Sequence, residues 1–219
     1  MAPGSEVEYN SIFLKPETSL LMGLAQTDTL HFNSFKEFLE FEKHSEIRYE
    51  FHNGEVFAMA GTTLIHNELV DNVKDLLKAT FRPKGCKVYS DSIKLQAIKD
   101  YYYPYPDVML TCHELDKQER YIIKNPMLIV EVLSKSTADT DKSFKWQRYR
   151  KIDSLQHYIL VSQYEVLIEV FSRTDQPETW LYRSFDNLTD EIRLEDPDFT
   201  LPVGAVYDGI RLAPPVEEE

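Results

Sequence analysis

Two acidic residues interrupt apolar segments of this sequence. Asp107 follows Pro106 and opens the segment DVML, and Glu131 lies inside the next apolar segment, LIVEVL. Burying an ionised carboxylate is costly unless a cation or hydrogen-bond donors compensate it. Glu131 therefore either reaches solvent at the end of its strand or binds something positive. Because consecutive strands usually lie side by side, the two carboxylates could share one divalent cation.

The cation that fits such a pair is Mg2+, which takes one or two protein carboxylates together with water and substrate phosphate. The backbone carbonyl of Val132 offers a third ligand, and Mn2+ can substitute for Mg2+. A metal in this position lowers the pKa of a bound water and holds a phosphate in line for attack. The two acids therefore predict metal-assisted phosphoryl chemistry at Asp107 and Glu131.

A locally basic stretch follows Glu131. Between residues 135 and 151, six basic side chains stand against two acidic ones, in a chain whose net charge is −13. On a helix, Asp141, Lys145 and Tyr149 share one face, so Lys145 could lean over the carboxylate pair. There its charge would stabilise a phosphoryl transition state. The alternative is an ordinary surface pair between Lys145 and Asp141, which contributes little.

The elements that must position these residues follow from periodicity and capping. Helices are predicted over 33–45, over 62–81 with Thr62 or Thr63 as the cap, and over 138–153. Asn53-Gly54 between two alternating segments predicts a hairpin with a type I′ turn. Strands are predicted at 86–98, 107–111, 127–133, 155–162, 166–173 and 179–185. The pattern indicates one mixed α/β domain over 31–212, with a loosely ordered extension over 1–30 and an acidic tail over 213–219.

Composition excludes several classes of protein. The net charge of −13 argues against a protein that coats nucleic acid, although a local basic patch is still compatible with an enzyme that acts on it. No stretch is apolar for long enough to span a membrane, and no targeting segment is visible, so we expect a cytoplasmic protein. Cys86 and Cys112 are too few for a disulfide framework, and we expect free thiols.

Several segments in order resemble one family. They are RYEFHNGEVFAMAG, HNELVDNV, GCKVYSDSIKL, PDV, EVLSKST, DKSFKWQRY and YRKIDSLQHYILVS. Together they are similar to the Uma-two family of restriction-endonuclease-like proteins, a branch of the PD-(D/E)XK nuclease superfamily, over most of the chain. The resemblance implies a restriction-endonuclease-like core, in which a central mixed β-sheet is flanked by helices. It also implies Mg2+-dependent hydrolysis of DNA phosphodiesters.

The resemblance assigns roles to individual residues. Asp107 is the first acid of the superfamily pattern and Glu131 the second. The pattern has a lysine two residues after the second acid, where this chain has Leu133. The resemblance then makes Lys145 the replacement, displaced onto the following helix, with Lys135 as the second candidate.

Two further residues match recurrent family positions, and each also has a simpler explanation. Glu50 and His66 take accessory roles in the resemblance, as a further acid or as a contact to water or phosphate. Otherwise Glu50 is a cross-strand charge partner and His66 a packed or capping histidine. The tyrosines of YYYPYP either stack on bases or form a half-buried loop. No histidine base accompanies Ser134, Ser136 or Thr137, so these residues are expected to cap a helix.

Two classes of function remain open at this point. The first is a metal-dependent DNA endonuclease that acts as a homodimer, with no protein partner evident. The second is a catalytically inactive module that keeps the nuclease fold for binding or regulation. RNA or a damaged nucleic-acid structure is a third, alternative substrate. Convergence of Asp107, Glu131 and Lys145 would favour the enzyme.

Overall fold

The computed structural model describes residues 30–212, apart from residues 60, 91 and 136. All of the predicted acidic tail and all but Leu30 of the predicted N-terminal extension lie outside this part of the chain. The strands are β1 (Tyr49–His52), β2 (Glu55–Ala58), β3 (Lys87–Ser90), β4 (Lys94–Leu95), β5 (Tyr102–Tyr103), β6 (Val108–Thr111), β7 (Ile122–Ile123), β8 (Leu128–Leu133), β9 (His157–Ser162), β10 (Ile168–Arg173), β11 (Trp180–Phe185), β12 (Glu191–Leu194) and β13 (Phe199–Pro202). The helices are α1 (Phe35–Glu42), α2 (Leu64–Phe81), α3 (Glu114–Gln118), the π-helix π1 (Thr140–Lys145), α4 (Trp146–Tyr149) and α5 (Val203–Val206).

A six-stranded mixed sheet forms the centre of the fold, in the order β11-β10-β9-β8-β6-β3. Neighbouring strands run antiparallel except β8 and β9, which are parallel. Every residue of β8 and β9 is buried, which explains why both strands are almost continuously apolar in sequence. The predicted α/β fold, a restriction-endonuclease-like core with a mixed sheet flanked by helices, is confirmed.

Helix α2 covers one face of this sheet. Thr63 caps its start by accepting the N–H of His66, so the second of the two predicted caps is the one used. Leu69, Val73 and Leu77 recur at helical spacing and belong to the same core cluster as buried residues of β6 and β8, which α2 contacts. His66, on the first turn of the helix, lies 3.2 Å from Asp107, so the helix begins at the end of the sheet where β6 starts and β8 ends.

The opposite face is covered by the segment after β8. The predicted helix over 138–153 forms over 138–149, but part of it is a π-helix and it ends four residues early. A π-helix over Thr140–Lys145 leads into a single α-helical turn, Trp146–Tyr149. The Tyr158 hydroxyl donates to the Asp141 carbonyl at 3.1 Å. That carbonyl is the acceptor that an α-helix would offer to the N–H of Lys145. A side chain inserted into the helical hydrogen-bond ladder is a recognised cause of such a distortion.

A smaller sheet, in the order β2-β1-β5, holds the predicted hairpin against α1. Asn53 and Gly54 both have positive φ, 50° and 90°, as the type I′ turn requires. Tyr102, Tyr103 and Tyr105 are all buried, so they form a packed segment and are not available to stack on bases.

The two cysteines correct a further prediction. Cys86 and Cys112 form a disulfide. They directly flank the antiparallel pair of Lys87 on β3 and Thr111 on β6, which brings their Cα atoms to 4.2 Å. The expectation of free thiols was therefore wrong, because two isolated cysteines give no sign in sequence that their strands are neighbours. Within the described residues, no helix is long and apolar enough to cross a membrane.

Candidate active site

The pairing of β6 with β8 brings the two predicted acids together. Val108 lies opposite Val130, so Asp107 stands opposite Glu131 at the next position of the same antiparallel register. The backbone N–H of Val132 donates to Asp107 Oδ2 at 2.7 Å, and the N–H of Asp107 lies 3.4 Å from Glu131 Oε2. Both carboxylates consequently project from one end of this strand pair, as the sequence predicted.

Glu131 is enclosed within the protein. Only 2% of its surface is exposed, and it lies on the same face of β8 as Ile129 and Leu133. Its Oε1 atom is 3.0 Å from Lys145 Nζ and accepts the Tyr149 hydroxyl at 3.0 Å. The alternative of a glutamate that faces water at a strand end is excluded, because an ammonium and a hydroxyl compensate this buried carboxylate.

Lys145 joins two acidic residues. Its Nζ atom lies 3.0 Å from Glu131 Oε1 and 2.9 Å from Asp141 Oδ1, and the lysine is 7% exposed. The predicted pair with Asp141 therefore forms, but it is buried and shared with Glu131. Leu133, at the position of the superfamily lysine, packs in the core, so Lys145 supplies the ammonium group at the second acid.

His66 and Glu50, on α2 and β1, lie beside Asp107 and Lys145 respectively. His66 Nε2, on the first turn of α2, lies 3.2 Å from Asp107 Oδ2. On β1, the Glu50 carboxylate accepts the N–H of Tyr105 at 3.3 Å and is close enough to raise the pKa of Lys145. Both residues border the site, and their accessory roles stay predictions.

Lys135 lies away from the cluster formed by Asp107, Glu131, Asp141 and Lys145. It is exposed in the loop after β8, where its backbone N–H donates to the Tyr164 hydroxyl at 2.9 Å. The contact to Glu131 is made by Lys145 instead. The backbone N–H of Val132 donates to Asp107. The role of the Val132 carbonyl as a metal ligand stays a prediction.

The electrostatics of the site are dominated by an excess of carboxylates. Burial raises the pKa of Glu131 well above its ordinary value, Lys145 opposes this, and the charges of Asp141 and Asp107 raise it further. Burial alone would lower the pKa of Lys145, but Glu131, Asp141 and Glu50 together raise it well above its ordinary value. The lysine is thus held as a cation, and one ammonium faces several acids.

Two carboxylate oxygens are available to a metal ion. Asp107 Oδ2 and Glu131 Oε1 receive the short contacts described above. The other two oxygens are Asp107 Oδ1 and Glu131 Oε2, and Oε2 has only the long contact of 3.4 Å to the N–H of Asp107 described above. No three His, Cys, Asp or Glu side chains converge as a metal site among the described residues. Mg2+ fits two carboxylates whose remaining positions are filled by water and phosphate, and the excess negative charge favours it. The donor set is therefore compatible with Mg2+.

Two residues of the cluster were on the predicted helix face without being recognised as part of a site. Asp141 is 1% exposed and Tyr149 is fully buried. Burial and the charge of Glu131 raise the pKa of Tyr149 well above its ordinary value, so its hydroxyl remains a donor. Their spacing from Lys145, four residues on either side, was the available signal.

Comparisons with known proteins agree with this architecture. A family model described as "Uma2: Putative restriction endonuclease" matches residues 35–204. Uncharacterized protein slr1290 of Synechocystis sp. is 28% identical over 80% of this chain and 91% of its own length. Uncharacterized protein sll1609 of the same organism is 32% identical over 66% of this chain and 82% of its own. A crystal structure titled as a "putative nuclease belonging to DUF820" from Anabaena variabilis has a TM-score of 0.64 at 14% identity. It covers 81% of this chain and 99% of its own, and it shows the shared fold.

Proposed function

The chain belongs to the Uma2 family, described as putative restriction endonucleases, and we propose that it is a metal-dependent endonuclease that hydrolyses DNA phosphodiester bonds. The observation that carries the proposal is the convergence of Asp107, Glu131 and Lys145 at the shared end of β6 and β8. A lysine within 3.0 Å of the second acid supplies the charge that Leu133 cannot. Phosphoryl transfer depends chiefly on positioning and on stabilising negative charge, which a cluster of this kind provides.

Asp107 and Glu131 would hold Mg2+, with the Val132 carbonyl as a third ligand and with Mn2+ as a substitute. When bound, the metal would supply a water of lowered pKa and charge stabilisation at the phosphate. A DNA substrate would be met in the cytoplasm, which is the location that we propose for this activity.

The protein's own side chains have separate tasks in this proposal. The Lys145 ammonium stabilises the negative charge that grows on the phosphate oxygens as a water oxygen bonds to phosphorus and the bond to the leaving oxygen breaks. His66 orients Asp107 by contacting Oδ2, which directs the other oxygen away from α2. Glu50 adds to the charge that keeps Lys145 protonated. Buried groups can act in this way because the low local dielectric strengthens each interaction.

The second candidate is a binding or regulatory module that keeps the fold without the chemistry. Leu133 at the lysine position and the net charge of −13 favour it. The surroundings of Lys145 weigh against it, because two buried carboxylates, Glu131 and Asp141, share this one ammonium. The excess negative charge is costly unless a further cation neutralises it. RNA and structured nucleic acids remain alternative substrates.

Cleavage of plasmid DNA by the purified protein tests the proposal. Wild type should nick or linearise the plasmid when Mg2+ or Mn2+ is titrated in and should stop when EDTA is added, whereas Glu131→Ala and Lys145→Ala should be inactive. Lys135→Ala is the matched control, since its exposed side chain lies outside the cluster, and it should cleave like wild type. Loss of activity only in Glu131→Ala and Lys135→Ala would move the catalytic role to Lys135.

Absence of wild-type cleavage on duplex DNA, on RNA and on branched substrates would contradict the proposed enzyme and leave the binding module. We also propose that the protein acts as a homodimer, because two sites related by a two-fold axis can cut both strands. Light scattering with and without DNA should give the mass of a dimer, and a monomeric mass in both samples would contradict it.

A further inference from the structure

Tyr149 is a buried polar residue whose hydroxyl touches the proposed site. Its side chain is fully enclosed, and its ring packs edge-on against that of Tyr158, with the centroids 5.3 Å apart. From there the hydroxyl donates to Glu131 Oε1 at 3.0 Å. A tyrosine ring clamped in the core holds its hydroxyl in a fixed place, because only two side-chain torsions connect it to the backbone.

The two oxygens of Glu131 have different environments. Oε1 receives both Tyr149 and Lys145, each at 3.0 Å. Oε2 lies on the side of Asp107, whose N–H is 3.4 Å away. The carboxylate is thus oriented, with one oxygen held by the protein core and the other directed towards the partner acid.

Of the two donors at Oε1, only Tyr149 is dedicated to Glu131. Lys145 also contacts Asp141 Oδ1, at 2.9 Å, and in the proposed reaction its charge acts on the phosphate. A lysine has a long flexible stem, so its contact with Glu131 can change as substrate binds. If Lys145 were the sole donor, Glu131 would lose its orientation at the moment when the reaction needs it.

We propose that Tyr149 is a positioning residue, whose hydroxyl fixes the Glu131 carboxylate so that Oε2 faces Asp107 and the cation that the two acids share. This inference rests on the proposed function, since it requires that Glu131 binds a cation. Groups that hydrogen-bond to a metal ligand orient it, and removing one typically costs about 10- to 100-fold in metal affinity or activity.

A purely structural role for the hydroxyl makes a different prediction. In that case the Tyr149 hydroxyl only satisfies a buried acceptor, and its removal lowers stability without changing how the protein binds a cation. Cation affinity therefore separates the two roles, whereas a melting temperature does not.

The test is titration calorimetry with Ca2+, which can occupy a carboxylate site without supporting turnover. Tyr149→Phe should weaken Ca2+ binding by about 10-fold or more relative to wild type. Tyr207→Phe is the matched control, because Tyr207 is a buried tyrosine whose hydroxyl donates to the Ser162 carbonyl at 2.9 Å, away from the acids. It should bind Ca2+ with wild-type affinity. Equal affinities for wild type and Tyr149→Phe would overturn the proposal.

A second measurement uses wild type alone and so does not depend on the folding of a variant. Crystals soaked in Mn2+ should show the ion on the Oε2 side of Glu131, with the Tyr149 hydroxyl still on Oε1. Mn2+ bound at Oε1, or a displaced Tyr149, would overturn the inference while leaving the nuclease proposal intact. Wild type that neither binds a divalent cation nor cleaves nucleic acid would overturn both.

Discussion

Among the described residues, two buried lysines each pair with a glutamate, and the two pairs differ in what surrounds them. Lys94 on β4 lies 2.6 Å from Glu42 at the end of α1, and Lys145 lies 3.0 Å from Glu131. The two lysines are 3% and 7% exposed, so both are almost completely removed from solvent. Burial of a lysine beside a carboxylate is thus insufficient to mark a functional site in this protein.

The remaining neighbours of each lysine make the difference. Lys94 also contacts the Tyr49 carbonyl and the Tyr105 hydroxyl, which are neutral acceptors, and burial lowers its pKa to about 8. Lys145 instead has a second carboxylate, from Asp141, and its pKa is raised. The first pair is a balanced structural contact, whereas the second leaves an excess of negative charge that a cation can neutralise.

The largest expected contrast in stability comes from neutralising each glutamate. Glu42→Gln breaks the only ion pair of Lys94 among the described residues and should lower the free energy of unfolding by about 3 kcal/mol. Glu131→Gln should cost less than about 1 kcal/mol, because Lys145 keeps Asp141 and the repulsion among the acids is relieved. Urea denaturation without metal measures both values. Equal losses would make the two pairs energetically alike and contradict the comparison.

The pH dependence of the free energy of unfolding should reveal the lowered pKa of Lys94. Its pKa falls from 10.5 in the unfolded chain to about 8 in the fold, so the unfolded chain binds more protons between these values and stability rises with pH. Below the pKa of about 8, Lys94 is charged in the folded protein, and the full free-energy cost of burying that charge lowers stability. Between about pH 7.5 and pH 9.5, wild type should gain about 2 kcal/mol relative to Lys94→Met, as measured by urea denaturation at each pH. A difference that is constant with pH would show that the Lys94 pKa is not lowered.

Ca2+ should stabilise the folded protein by binding beside Glu131, and the Lys94–Glu42 pair should not contribute to this effect. At a free Ca2+ concentration about ten times the Kd, wild type should gain about 1.4 kcal/mol of unfolding free energy, because the ion binds the folded state. Lys94→Gln should gain the same amount relative to its own metal-free state, and Asp107→Asn should gain none. A gain retained by Asp107→Asn would place the cation elsewhere in the molecule.

The smallest expected effect separates two buried tyrosines. Tyr105→Phe removes a hydroxyl that contacts Lys94 and Glu42 and should cost about 1 kcal/mol without changing Ca2+ affinity. Tyr149→Phe removes the equivalent group beside Lys145 and Glu131, where Ca2+ affinity should fall. Urea denaturation and Ca2+ calorimetry on the two variants would contradict this distinction if Tyr105→Phe weakened Ca2+ binding as strongly.

The sequence predicts the Lys145–Glu131 pair far better than the Lys94–Glu42 pair. Asp107 and Glu131 interrupt apolar strands, and Lys145 stands at helical spacing from Asp141, so the cluster could be inferred from neighbouring strands and one helix face. Lys94 gives no such signal, because its partner Glu42 lies 52 residues away on another element. The same limit applies to the disulfide and to the π-helix, since both depend on tertiary contacts between distant segments.

The most direct test is to compare the cleavage rates of Lys145→Gln and Lys94→Gln under identical conditions, with Mg2+ and with melting curves recorded for both variants. Lys145→Gln should lose on the order of 1000-fold in kcat, because a buried cation that stabilises the transition state is gone. Lys94→Gln should melt earlier than wild type but keep kcat within about threefold at a temperature where it is folded. Comparable kcat values for the two folded variants would contradict the assignment of the Lys145–Glu131 pair to catalysis.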